Sequence, residues 1–79
     1  MHVFTFRSRN YPGITGFTTW RTGVNLPEEF RPWVSVSQGA MHAGDPVTGV
    51  YHGADTVLAG IARDGFYVAS VADHARHSA

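Results

Sequence analysis

Residues 54–71, ADTVLAGIARDGFYVASV, decide how this chain is read. The apolar residues Ala54, Val57, Leu58, Ile61 and Ala62 recur at i, i+3, i+4, i+7 and i+8, the stripe of an amphipathic helix with one buried face. Asp55 stands where a carboxylate can accept the unpaired N–H groups of a first turn, which makes it the expected cap. Arg63 falls in the last turn, where a cation complements the helix dipole. Gly65 supplies a left-handed stop and places Phe66 for an apolar contact back onto Ile61. Residues 66–71 continue as a strand. The stretch therefore predicts a helix over about residues 55–64, a tight stop and a strand.

Upstream, the period changes from 3.6 to 2. In residues 2–7, Phe4 and Phe6 share one face and Thr5 and Arg7 the other, a strand with Phe4 and Phe6 on its core side. Tyr11-Pro12-Gly13 fits a turn in which Pro fixes the first central position and Gly accepts positive φ at the second. Residues 14–20 form the second strand of a hairpin, with Ile14, Thr18 and Trp20 on one face and Phe17 on the other. Residues 25–30 read as one helical turn, with Pro27 early and Glu28 and Glu29 at the positive end of its dipole. Pro32 stops it. Phe30 and Trp33 are the expected anchors of this excursion, and residues 33–37 a short third strand with Val34 and Val36 opposite Trp33.

Residues 38–53 admit two readings. Asp45-Pro46 can open a long helix that carries the apolar stripe backward through Val47, Val50 and Tyr51. Gly49, Gly53 and Gly60 would then all be internal, at about 1 kcal/mol each relative to alanine. A glycine-rich loop or short strand is the preferred reading. The expected fold is α+β: an antiparallel sheet of three to four strands, in the order β-β-(short turn helix)-β-α-β, with the helix packed on one face. The whole of residues 1–79 is read as a single small domain with a frayed tail at 72–79.

A chain of 79 residues buries only about 60% of its unfolded surface, so its core is thin. It has no cysteine, which excludes disulfides and Cys-based metal sites. No charged-then-apolar leader and no apolar run of about 20 residues stands in it, so a cytoplasmic location away from membranes is expected. The net charge is zero, which gives the whole molecule no strong pull on nucleic acid. Every cation is an arginine, a pattern that suits bidentate recognition and equally a compositional bias. Before residue 28 the charges are all positive, at Arg7, Arg9 and Arg21.

No phosphate loop, nucleophile elbow or zinc helix is present, and neither a cofactor nor a metal is expected. His74 and His77 have ligand spacing but sit in the tail, with no partner set near them. His42, Asp45 and His52 flank the glycine-rich segment; an enzyme built on them predicts a deep pocket there. Arg7, Arg9 and Arg21 with Tyr11 and Trp20 form the residue set of a small nucleic-acid-binding module, against which stands the neutral total. Glu28, Glu29, Asp55 and Asp64 allow the opposite device, an acidic surface that competes for a basic groove.

One helix covers one face of a sheet. Phe17 opposes Ile14 and Trp20, Trp33 opposes Val34 and Val36, and Phe66 and Val68 oppose Tyr67, Ala69 and Val71. Part of the second face is therefore expected to be covered: by residues 38–53 folded back, by a second copy of the chain in a homodimer, or by another protein. Ordinary exposure of a few aromatics is the remaining alternative.

The runs Gly16-Phe17-Thr18-Thr19, Thr22-Gly23-Val24-Asn25-Leu26-Pro27, Pro32-Trp33 and Ile61-Ala62-Arg63-Asp64-Gly65-Phe66-Tyr67-Val68 resemble a set of small uncharacterised bacterial proteins. The likeness covers most of the chain apart from residues 38–53 and implies no activity. In size and lack of a catalytic set the chain also resembles, in type, small phage-encoded inhibitors, anti-CRISPR proteins among them. The expected function is thus a non-enzymatic protein-binding module acting by surface occlusion, an inhibitor of a bacterial defence (CRISPR) complex. Its expected contact residues are Arg9, Tyr11, Trp20 and Arg21, since aromatics and arginines dominate interface energetics.

Overall fold

The computed structural model describes residues 1–45 and 53–70. Among these residues four strands, a single 3-10 turn and one helix occur in chain order: β1 His2–Ser8, β2 Ile14–Thr18, the turn Glu28–Phe30, β3 Trp33–Ala40, α1 Ala54–Asp64 and β4 Phe66–Ser70. The sheet order is β3-β1-β2-β4 and every neighbouring pair is antiparallel. This is the expected α+β fold.

The β1–β2 hairpin closes as its turn residues dictate. The Ile14 N–H donates to the Tyr11 carbonyl at 3.1 Å, and Gly13 has φ 90°, the positive value that the third position of a type II turn needs. Topology forces the course of the connection from β2 to β3. Both strands run antiparallel to β1, so they are parallel to each other with β1 between them. Parallel strands need a crossover of a dozen or more residues. Residues 19–32 provide it, and they lie across the sheet face that carries Phe6, Gly16 and Thr18.

Leu26 is the centre of that cover and is 2% exposed. A Cβ added to Gly16 would lie 2.9 Å from a Leu26 methyl and 3.0 Å from the Trp33 ring; only a glycine in mid-strand permits so close an approach. Side-chain hydrogen bonds fix the crossover along its length. Thr18 Oγ1 donates to Asn25 Oδ1 at 2.7 Å, Trp33 Nε1 to the Pro27 carbonyl at 2.9 Å, and Ser8 Oγ to the Phe30 carbonyl at 2.7 Å. Thr18 and Ser8 are both buried, and each is satisfied, as burial requires. The Phe30 and Trp33 rings meet edge-on at 6.1 Å, so both act as the expected anchors.

The helix occupies the other face. Val57 and Ile61 pack on Val3, Phe17 and Ala69, with Leu58, Met41 and Tyr67 at the margin. Gly60 lets the helix sit on Tyr67, whose Cδ1 would be 2.5 Å from an added Cβ. Gly65 ends α1 at φ 87°, its N–H donating to the Ile61 carbonyl at 2.7 Å, with Arg63 in the last turn, as the sequence predicts.

Four expectations are corrected. Asp55 does not cap α1: the N-cap is Gly53, without a side-chain bond. The Asp55 carboxylate instead accepts the Gly44 N–H at 2.7 Å, and the Asp45 carbonyl accepts the Ala54 N–H at 3.2 Å. Loop 41–45 is brought against the helix start and satisfies a first-turn donor from its backbone. β1 has two core sides, because Val3 is buried beneath α1 and Phe6 on the opposite face beneath the crossover. β3 runs to Ala40, beyond the expected 37, since His2, Val3 and Phe4 supply it with partners, and a bulge at Val36 shifts its register. Finally, the second face is covered by residues 19–32, a segment not among the expected covers. Residues 46–52 and 71–79, with the alternatives placed on them, lie outside the described residues.

Candidate interaction surface

Among the described residues, the two crossovers leave one part of the sheet uncovered. α1 packs on β4 and β2, on the face where Val34, Arg7, Thr15 and Ala69 lie side by side in register. Val34 and Arg7 are beyond the reach of the helix. Val34 and Val36 are each 48% exposed, in contrast to the buried β1 and β2 residues Val3 and Phe17. With Arg7, Arg9 and Pro12 they line an open groove of about 590 Å³.

Among the described residues β3 is an edge strand whose only strand neighbour is β1. Among the described residues nothing pairs with its outer side. Such an edge presents a row of free backbone donors and acceptors. None of its eight residues, WVSVSQGA, is charged or proline, the usual means of blunting an edge; the Val36 bulge is the one device present.

The groove is electrically one-sided. Arg31 reaches Glu28 at 3.8 Å and Arg63 reaches Asp64 at 3.0 Å. Arg7 and Arg9 have no carboxylate within ion-pair distance among the described residues. Both are exposed, so they cost little in isolation and retain their charge for a partner.

The four expected contact residues form two pairs at opposite ends of β2. Arg9 and Tyr11 are at the hairpin tip. Trp20 and Arg21 come after Thr18 at the other end, in a turn where the Gly23 N–H donates to the Trp20 carbonyl at 3.0 Å. Five residues of strand set the pairs roughly 14 Å apart. Tyr11 and Trp20 are exposed. Tyr11 also has a structural role, its ring edge-on to Phe30 at 5.4 Å and its N–H on Ser8 Oγ at 3.2 Å. Of the four, only Arg9 lines the groove. Val34 and Val36 escape selection in the sequence because an alternating valine strand looks the same at an edge as in a sheet centre.

The acidic set is not assembled into one surface. Asp55 holds Gly44, Asp64 is paired with Arg63, and Glu28 with Arg31. Asp55 and Asp64 stand at opposite ends of α1. At the proposed catalytic segment, Asp45 Oδ2 accepts the backbone N–H of His42 at 2.9 Å, which closes the loop and leaves the imidazole out of the contact. The hollow beside it measures about 180 Å³ and is lined by Val3, Gln38, Met41 and Asp45 among others. His52, His74 and His77 lie outside the described residues. Among the described residues no group of three His, Cys, Asp or Glu side chains gathers as a ligand set, and no helix is long and apolar enough to cross a membrane.

The fold and this surface define a small α+β protein whose β3 edge, among the described residues, is unpaired and flanked by Arg7 and Arg9. No family model, curated protein or solved structure matches the chain.

Proposed function

We propose that the chain is a non-enzymatic protein-binding module that acts by occluding a surface of its partner through the β3 side of the sheet. The observation that supports this reading is the pairing of half-exposed Val34 and Val36 with uncompensated Arg7 and Arg9 in one groove. Apolar area supplies the affinity of a contact, and unpaired cations supply its orientation and encounter rate. The resemblance in type to phage-encoded inhibitors makes a CRISPR effector complex of the host the first partner to test, in a cytoplasmic setting.

The test is co-purification from the native host together with inhibition of the purified effector's binding to target DNA. Val36→Lys and Arg9→Ala are expected to lose both. Trp20→Ala and Arg21→Ala, at the far end of β2, are expected to retain both. The reverse pattern moves the site to the Trp20 end and overturns the assignment of the groove. Variants that all bind and inhibit like the parent protein overturn the docking surface altogether.

A further inference from the structure

We infer that the uncovered edge of β3 takes an extended acidic-apolar segment of its partner as an added strand. This rests on the reading of the β3 side as a docking surface and specifies what docks there. Two features of the edge, seen together, select this occupant. The backbone of β3 has hydrogen-bonding groups free along its outer side among the described residues, and an extended chain satisfies them in the way the sheet itself does. The flanking side chains then dictate the sequence of the added strand. Val34 and Val36 offer apolar contact, and Arg7 and Arg9 offer two positive charges with no ion-paired carboxylate among the described residues. Because successive residues of a strand point to opposite sides, and Val34 and Arg7 share one face and one groove with Val36 and Arg9, it is every second residue of the incoming strand, those turned to that face, that mixes apolar and acidic side chains.

A second copy of this chain is the less favoured occupant. Its own β3 carries no acidic residue to meet Arg7 and Arg9. Single-stranded nucleic acid is also less favoured, because the groove lining holds no aromatic ring on which a base could stack.

The experiment is a titration of the full chain with a short capped peptide in which every second residue is by turns glutamate and valine, with threonine between them, monitored by backbone NMR and amide hydrogen exchange. Expected are shifts and slowed exchange confined to β3 and the β1 residues beside it. The same peptide with alternate amides N-methylated is expected not to bind, since it cannot form the ladder. Replacing glutamate by lysine in the probe, or Arg7→Glu with Arg9→Glu in the protein, is expected to weaken binding at least about tenfold. Both protein substitutions change exposed residues, and retained amide dispersion verifies the fold. The inference is overturned by no binding of the glutamate–valine peptide, by equal binding of the lysine–valine peptide, or by shifts centred elsewhere. It is equally overturned by a concentration-dependent dimer that protects β3 without any peptide, or by an oligonucleotide that binds the groove when the peptide does not. If host-partner capture depends on the groove while the peptide fails, strand addition alone falls; if capture ignores the groove, the docking surface falls with it.

Discussion

Asn25 joins the crossover to both the sheet and the helix. Its Oδ1 accepts from Thr18 Oγ1, and its Nδ2 donates to the Gly65 carbonyl at 2.9 Å, at the helix stop. Removing the amide leaves the buried Thr18 hydroxyl, which still accepts the Trp20 N–H at 3.1 Å, without its acceptor, and the Gly65 carbonyl without the Asn25 donor. Asn25→Ala is therefore expected to lower unfolding stability by about 1–3 kcal/mol, measured by urea denaturation; an unchanged midpoint excludes the link as a structural element. Gly16 makes the complementary case from sterics. Gly16→Ala places a methyl against Leu26 and Trp33 at distances real side chains do not adopt, and overpacking of this kind costs about 1–3 kcal/mol. A thermal melt as high as that of the parent protein would show that the crossover gives way instead. At this scale the sequence is half legible. A glycine inside a strand signals close approach of another segment, but nothing in the sequence names Leu26 as that segment. Asp55 is the opposite lesson: its position and type suit a cap, yet a loop from eleven residues upstream takes its carboxylate.

Among the elements, α1 and β4 are the most legible, because a helix stripe, a terminal cation and a left-handed glycine are all local signals. The crossover is less so. Its single turn and its anchors Phe30 and Trp33 can be read from Pro27, the glutamates and Pro32, whereas its main apolar contact, Leu26, stands in a run that looks like a turn. Leu26→Ala is expected to cost about 2–5 kcal/mol, more than any substitution of the exposed Val24, with Phe6 the side chain uncovered. Equal losses at the two positions in a denaturant series would mean that the crossover lies on the sheet without packing into it. The loop at the helix start is tested separately. Asp55→Ala is expected to speed amide exchange at Gly44 while leaving the circular dichroism of α1 unchanged; a loss of helical signal would restore Asp55 to a capping role. The end of β3 escapes local reading because residues 38–40, Gln-Gly-Ala, have low strand preference and are held by pairing with the start of the chain.

Across the whole molecule, each face of the sheet is covered by a connection that topology obliges to cross it. Residues 19–32 traverse one face and α1 packs on the other. Much of the apolar alternation on both sides of the strands is thereby used internally, and within the sheet the large apolar side chains left exposed are Val34 and Val36 on the β3 edge. Substitution at that edge is expected to separate folding from binding. Val36→Lys puts a solvated charge on a half-exposed site, so stability should remain within about 0.5 kcal/mol of the parent while partner capture is lost. A variant that melts much earlier would instead place Val36 in the core.

The sequence alone determined the periodicities: where strands begin, where the helix runs and stops, and where the chain turns. These depend on neighbours within about four residues, and the chain carries them wherever it goes. Only the tertiary structure decided the strand order β3-β1-β2-β4, and with it every assignment of inside and outside. Alternation divides a strand into two faces without saying which is wet. That depends on which connections cross the sheet, and a pairing between the first strand and residues more than thirty positions away is not written in either strand by itself.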